Sequence, residues 1–378
     1  MNPALLLRRP IAEIINRISK EEVGLLIPKK FGKPLDNSLH YSKMPKNVKI
    51  YTYSIIQPPG PYEWPIPVTP MFIIQLMRIL WKYDILHMWA QFYLSNLITA
   101  LFSFFSTCKL ILTMDTIAGY SFSVGKFDKL FRWYYRIFGW LIFGAPTAIT
   151  LYGKSLIPFS KKAHVPQSKV LVIPTGIDIS KKKISDRKKI RNEFKLKDEF
   201  IIMYGGLLVP RKGIDTFLKT VAKIKNENIK AILVGDGPSR KEYENFAKKL
   251  KIVDKVIFTG FRKDIMDFYA CADVFLFPSR GEGLPGVIME SEVFKVPVIT
   301  SNIPCIPDLI KDSESGYLCE MEDVNCFSKR TLELIKSHDK RVKIRDEAYK
   351  RIMQFDWSNI IPKYLDLYCQ LDSSRRGI

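Results

Sequence analysis

Two glutamates eight positions apart, Glu282 and Glu290, stand in the most chemically suggestive segment of the chain, Ser279-Arg-Gly-Glu282-Gly-Leu-Pro-Gly-Val-Ile-Met-Glu290. The glycines let backbone amides approach a ligand closely. A helix beginning near Gly286 would turn its free N–H groups, and the positive end of its dipole, toward a diphosphate. A carboxylate one turn into that helix, Glu290, can accept two hydrogen bonds from the vicinal hydroxyls of a ribose. The plainer reading is a surface helix whose glutamates merely favour its first turn.

The elements that must position this segment are clearest in the second half of the chain. Ile201–Tyr204 reads as a strand leading through Gly205-Gly206 and Arg211-Lys212-Gly213 to a helix at about 214–225. Lys230–Val234 is a strand ending in Gly235-Asp236-Gly237-Pro238, with a Lys/Glu-rich helix after it. Val256–Thr259, Val274–Phe277 and Val296–Thr300 are further strands. Strand, loop and helix alternate about five times, the pattern of a doubly wound parallel sheet with its ligand at the strand carboxyl ends.

The first half alternates less cleanly. Val48–Ile55 is a strand by pattern, and 57–70 is an irregular loop because it holds six of the 23 prolines. Met71–Lys82 reads as a helix with Gln75, Arg78 and Lys82 on a narrow polar stripe. Asp84–Met88, Leu110–Met114, Ala148–Tyr152 and Val170–Ile173 read as strands, with a helix around 92–105. A run from Lys181 to Arg191, seven Lys/Arg in eleven positions, reads as a solvated linker and helix start.

Composition sets the outer bounds. At 378 residues the chain suits two domains, and 47% hydrophobic with 26% charged residues is globular rather than disordered. Fifty-nine Lys+Arg against 38 Asp+Glu give +21, a field that favours nucleic acid, anionic lipid or phosphorylated small molecules. The six cysteines, Cys108, Cys271, Cys305, Cys319, Cys326 and Cys369, form no CxxC pair and have no histidine at ligand spacing. They read as reduced thiols in a cytosolic protein without a zinc site. MNPALLLRRP is too short in its apolar part for a signal peptide. The candidate membrane segments 92–114 and 137–151 are broken by Asn96 and Lys109, and by Gly139, Gly144 and Pro146. The expectation is a cytoplasmic protein, soluble or peripheral at the membrane.

The glutamate segment resembles the Glu-x7-Glu motif of the family-4 retaining glycosyltransferases, the glycosyl transferases group 1, which have the GT-B fold. Its surroundings follow in order. Residues 201–213 resemble the family's strand, Gly-rich turn and Lys-Gly; 231–238 resemble its strand and Gly-Asp-Gly-Pro. Pro297–Thr300, Pro307–Ile310 and Gly316–Leu318 come at the family's spacing. Ile173-Pro-Thr-Gly-Ile-Asp178 is similar to its interdomain turn and Trp357–Tyr368 to its closing helix. The resemblance implies a GT-B architecture, two Rossmann-like α/β domains facing a cleft. These are an acceptor domain over 1–178, a nucleotide-sugar domain over 179–355, and a last helix over 356–378 returning to the first domain.

By the same resemblance Glu290 binds the ribose, and Glu282 acts on hydroxyls of the donor sugar with the amides around Leu284, Pro285, Gly286 and Val287. Gly205 opens the donor loop. Arg211 and Lys212 neutralise the diphosphate as it leaves, so that no metal or other cofactor is required. Relatives often carry an arginine where this chain has Gly206, a place Arg211 can fill. They also open on a strand and a Gly-Gly loop that MNPALLLRRP lacks. Asp115 occupies the slot where many relatives have a histidine near the sugar; it reads either as a catalytic group or as a cap on the amides of Thr116 and Ile117. His87 matches a strand end of the family and reads first as a structural hydrogen-bonder.

The acceptor is expected on the N-terminal half. There 130–140, Leu-Phe-Arg-Trp-Tyr-Tyr-Arg-Ile-Phe-Gly-Trp, reads either as core helix or as an interfacial face for a lipid-linked or membrane-presented glycan acceptor on an anionic membrane. Two rivals remain: a nucleotide-sugar epimerase of the same fold, and a non-catalytic polyanion binder. No paired aromatic nucleic-acid motif is visible, and nucleic acid is not expected as a partner.

Overall fold

The computed structural model describes residues 9–17, 22–30, 48–56, 65–68, 70–123, 125–180, 187–225 and 227–373. The chain divides into two units, one of Met1–Gly176 with Trp357–Ile378 and one of Ile177–Asp356.

In the first unit the strands fall into two sheets. β1 (Val23–Lys30) runs parallel to β2 (Val48–Ile56), and the short β3 (Ile66–Pro67) pairs antiparallel with β2. β1 supplies an opening strand later than the first ten residues; Gly24, Pro28 and two lysines interrupt its alternation and hide it in the sequence. Its Leu25 and Ile27 bury against Ile15 of the Arg9–Arg17 helix. β4 (Ile85–Trp89), β5 (Lys109–Met114), β6 (Ala148–Leu151) and β7 (Val170–Val172) form a wholly parallel sheet in that order. The helices Leu94–Ser103 and Asp128–Ile142 lie in its crossovers. β6 is buried along its whole length, as strands covered on both faces are.

The closing helix Trp357–Ser373 belongs to this unit. Trp357, Ile360, Ile361, Tyr364 and Leu367 share a core with Ile111 of β5, Ala148 of β6 and Ile173. Full burial of one such side chain contributes about 1.5–3 kcal/mol. Beside that core, His87 stacks on Trp89 at 3.7 Å between ring centroids, and both its nitrogens have partners. Nδ1 lies 2.7 Å from the Tyr368 hydroxyl and Nε2 2.6 Å from Thr113 Oγ1.

Burial pushes the His87 imidazole down to about 3, so the folded unit keeps it neutral. The unfolded chain protonates it below about 6.5. Between those limits the unfolded state binds more protons, so stability falls as pH falls from about 6.5 toward 3. The residue as a whole is only half-buried, and the expected loss is about 1–3 kcal/mol. Thermal melts across that range should show it for the native chain, with a flatter profile for His87→Gln. Parallel profiles would place the acid sensitivity elsewhere.

The second unit holds β8 (Phe200–Gly205), β9 (Ile229–Val234), β10 (Val256–Gly260), β11 (Val274–Phe277), β12 (Val298–Ser301) and β13 (Tyr317–Cys319). They pair in parallel in the order β10-β9-β8-β11-β12-β13. Chain order reverses between β8 and β11, and the carboxyl ends of those two strands flank the crevice where doubly wound sheets bind ligands.

One expectation is corrected. Cys319 and Cys326 are joined in a disulfide, with 5.7 Å between their Cα atoms, whereas Cys108, Cys271, Cys305 and Cys369 are not disulfide-bonded. Cys319 ends β13 and Cys326 lies in the first turn of the Val324–Lys336 helix. Asp323 caps that helix by accepting from the amides of Asn325 and Cys326, each at 3.0 Å, and so folds the helix start back onto the strand end. A spacing of seven carries no signal of this. The proline-rich loop falls mostly on residues 57–64 and 69, and the basic run's first part on 181–186, all outside the described residues; the rest of the run, 187–191, lies in the helix Arg187–Glu193. Among the described residues, no helix is long and apolar enough to cross a membrane.

Candidate active site

The loop after β8 makes a single turn of helix, Pro210–Lys212, and delivers Arg211 and Lys212 beside the loop that follows β11. A backbone bond ties the two loops, the Arg280 amide donating to the Arg211 carbonyl at 2.8 Å, and Ser279 Oγ lies 3.2 Å from the same oxygen. Arg280 forms a bidentate pair with Asp215, at 2.9 and 2.7 Å, and reaches Glu322 at 2.5 Å.

At the centre of this frame is Glu282. Lys212 Nζ donates to its Oε1 at 2.6 Å, the Ser279 hydroxyl donates to the same oxygen at 2.5 Å, and Arg211 Nη1 lies 3.6 Å from Oε2. Side-chain exposure is 8% for Glu282 and 13% for Lys212, against 40% for Arg211. Burial alone would raise the Glu282 carboxyl, yet the Lys212 and Arg211 charges outweigh it and hold the group below its ordinary value. Burial lowers the Lys212 ammonium, with Glu282 partly offsetting it. Arg211 also donates to the Gly281 carbonyl, which aims its guanidinium at the same loop. Two cations and an ionised carboxylate thus meet at the switch point of the sheet, with the more exposed cation facing outward.

The Gly286–Val293 helix starts directly after this loop, with Pro285 as its N-cap and no side chain capping it. Its first amides are therefore open to an anion. Glu290 lies half-buried on this helix and accepts from the Tyr269 hydroxyl at 3.2 Å; the same hydroxyl is 3.2 Å from the Val287 carbonyl. Tyr269 stacks on Phe294 at 5.8 Å. The carboxylate is fixed in orientation before any ligand arrives, which is the preorganisation a ribose clamp needs.

The structure thus brings Gly205, Arg211, Lys212, Glu282, Leu284, Pro285, Gly286, Val287 and Glu290 onto the neighbouring β8 and β11 strand ends of one unit. Asp115 follows β5 in the other unit. It is half-buried, with the Thr116 hydroxyl at 3.4 Å. The Ile117 amide donates instead to Ser121 Oγ at 2.7 Å, so that half of the expected cap goes to another group. Three contributors had no role in the sequence reading: Ser279 and Arg280, which lie inside the motif but before its first glutamate, and Tyr269. No spacing rule could have found Tyr269, because it reaches Glu290 from a different helix, Ile265–Cys271.

If Glu290 holds a ribose, Glu290→Gln forfeits charge-assisted acceptance worth about 1.5–3 kcal/mol. The dissociation constant of the free nucleoside diphosphate should rise roughly 10- to 150-fold in calorimetry. An unchanged constant would remove Glu290 from the site.

Residues 186–351 match the family described as glycosyl transferases group 1. An N-acetyl-alpha-D-glucosaminyl L-malate synthase of Bacillus anthracis is 26% identical over 223 residues, 58% of this chain and 58% of the synthase. A UDP-Gal:alpha-D-GlcNAc-diphosphoundecaprenol alpha-1,3-galactosyltransferase of Escherichia coli is 26% identical over 270 residues, 68% of this chain and 69% of that enzyme. The chain thus spans less than two thirds of the first of these relatives. Among solved structures, Anabaena Alr3699/HepE in complex with UDP superposes with a TM-score of 0.80 over 98% of this chain and 96% of its own, at 18% identity. The protein has the GT-B fold of these enzymes, and within it residues 186–351 are similar to the glycosyl transferases group 1 family.

Proposed function

We propose that the protein transfers a glycosyl group from a nucleoside-diphosphate sugar to a lipid-linked or membrane-presented glycan acceptor, with retention of anomeric configuration. The observation that carries this reading is the Lys212–Glu282–Arg211 cluster beside the open amides of the Gly286–Val293 helix. In the reaction the bond from the sugar's anomeric carbon to the diphosphate breaks as a bond to the acceptor oxygen forms on the same face. Negative charge builds on the departing diphosphate, where Arg211, Lys212 and the helix amides can stabilise it without a metal ion. Glu282 holds the two cations in place and can accept from sugar hydroxyls. Asp115, at a strand carboxyl end of the other unit, is the acceptor-side candidate, orienting a hydroxyl or accepting its proton.

Two relatives favour particular substrates. The galactosyltransferase is named for a UDP-sugar donor and a diphosphoundecaprenol acceptor, and the HepE structure contains UDP. UDP-sugars are therefore the first donors to test, with a polyprenyl-diphosphate-linked sugar as acceptor. Transfer should require the acceptor and persist in EDTA, and nuclear magnetic resonance of the product should show the donor's anomeric configuration. Conversion of the donor without acceptor would identify an epimerase instead. Loss of activity in EDTA that Mg²⁺ or Mn²⁺ restores would overturn the assignment of leaving-group stabilisation to Arg211 and Lys212.

A further inference from the structure

The Asp128–Ile142 helix of the first unit carries a face that its own core leaves open. Phe131, Tyr135, Leu141 and Ile142 are buried, while Leu130, Trp133, Ile137 and Trp140 are 46%, 57%, 39% and 70% exposed. Those four positions fall at i, i+3, i+7 and i+10, one stripe along the helix. Lys129, Arg132 and Arg136 form a second exposed stripe immediately beside it. One face of the segment thus packs in the core and the opposite face turns outward.

The two stripes meet at a cavity of about 400 Å³ lined by Tyr120, Arg132, Trp133, Tyr135, Arg136 and His164. Arg132 is aimed by a 2.8 Å bond from its Nε to the Gly119 carbonyl and by its guanidinium lying over the Tyr120 ring. Arg132, Arg136 and His164 converge there, and among the described residues no carboxylate lines the cavity. Trp133 belongs to both features, a cavity wall on one side and part of the apolar stripe on the other. An anion seated between the guanidiniums therefore has an apolar track running from its edge. On a chain of net charge +21 the general field draws anionic surfaces, but the cavity adds a local, shaped site.

We propose that this cavity and stripe seat a phosphate-headed membrane lipid. The phosphate ester group lies between Arg132 and Arg136 near His164, and the chain lies along Leu130, Trp133, Ile137 and Trp140 in the acyl boundary. Guanidinium forks match phosphate oxygens in bidentate geometry, and tryptophans at the edge of an apolar face suit the interfacial zone of a bilayer. The inference deepens the acceptor half of the proposed function, and its test reads binding rather than turnover, so either can fail alone.

The test is flotation with three kinds of vesicle: phosphatidylcholine alone, phosphatidylcholine with phosphatidylglycerol, and phosphatidylcholine with phosphatidic acid at matched total charge. The protein should favour the exposed phosphate monoester of phosphatidic acid over phosphatidylglycerol by roughly tenfold. Arg136→Gln, and Arg132→Gln with Arg136→Gln, should erase that preference. Lys248→Gln with Lys249→Gln, which removes the same charge from a helix of the second unit, should keep it. Because Arg132 also holds the Gly119 carbonyl, the single Arg136 variant with an unchanged melting temperature carries the conclusion if the double variant unfolds. Trp133→Ser with Trp140→Ser should make binding to all anionic vesicles salt-labile. Equal affinity for the two anionic lipids, or equal losses from the α-helical control pair and the cavity pair, would reduce the effect to the diffuse field. Inorganic phosphate that binds the wild-type protein but not Arg136→Gln, and that shows no competition with phosphatidic acid vesicles, would mean a free-anion site, and the lipid assignment would fall.

Discussion

Lys212→Ala should lower the turnover number about 100- to 1,000-fold and at the same time destabilise the second unit. The kinetic part follows from position. Lys212 sits at the carboxyl end of β8 beside the open amides of the Gly286–Val293 helix, where negative charge on a departing diphosphate would build. Removing one preorganised group aimed at developing charge costs about 2.7–4 kcal/mol of transition-state stabilisation. The stability part follows from burial, since the ammonium is the 2.6 Å partner of a carboxylate that is 8% exposed. Stranding one member of a buried pair costs about 3–5 kcal/mol. Arg211 and Ser279 stay beside Glu282 and bring the expected loss to the lower end of that range.

The pH dependence of the variant separates this account from simple loss of packing. In the native protein Glu282 is held below its ordinary value, so its contribution to stability is present above that value and lost as pH falls through the folded one. Without Lys212 the burial penalty has less opposition and the carboxyl moves up. The variant should then gain melting temperature as pH falls from about 7 to 5, where protonation relieves the stranded charge. A variant whose folded fraction keeps its turnover within tenfold, by active-site titration, would place the diphosphate elsewhere.

The legibility of this site had a physical basis. Motifs were readable where backbone geometry dictates residue type: the glycines of 205–213 and 281–286 and the helix start at Gly286 are local constraints that a sequence states directly. The parallel pairing of the second sheet was implied by regular alternation of buried runs and helices, whereas its order β10-β9-β8-β11-β12-β13 was not. What escaped were contacts made by folding distant segments together. Tyr269 meets Glu290, Arg280 meets Asp215 and Glu322, and Cys319 meets Cys326 only because elements of no fixed spacing pack side by side. In the first unit β1 escaped because Gly24 and Pro28 interrupt its pattern, although Leu25 and Ile27 do alternate inward. The 130–140 segment stayed ambiguous because aromatic residues occupy both of its faces, and only burial tells Phe131 and Tyr135 from Trp133 and Trp140.

Gly213→Ala should cost about 3–5 kcal/mol and lower the melting temperature of the second unit by roughly 10 °C. Gly213 adopts φ +69°, a left-handed conformation that costs a residue with a Cβ about 1–2 kcal/mol. The larger part comes from contact. A Cβ on Gly213 would lie 1.9 Å from the Pro278 carbonyl oxygen, so one of two backbones must move. One is the loop that carries Arg211 and Lys212; the other leads to Ser279 and Glu282. Moving either opens the 2.6 Å Lys212–Glu282 contact. Misplacing a catalytic group by about 1 Å costs on the order of 100-fold in rate, so turnover should fall with stability. Gly125 supplies the internal control, because it has φ +65° and no atom within 4 Å of where a Cβ would stand. Gly125→Ala therefore bears the conformational cost without the collision, about 1–2 kcal/mol, and should leave donor binding untouched. Equal losses from the two substitutions in denaturant titrations would show that the loops after β8 and β11 are not locked at Gly213, and the preorganisation argued for Lys212 and Glu282 would lose its structural basis.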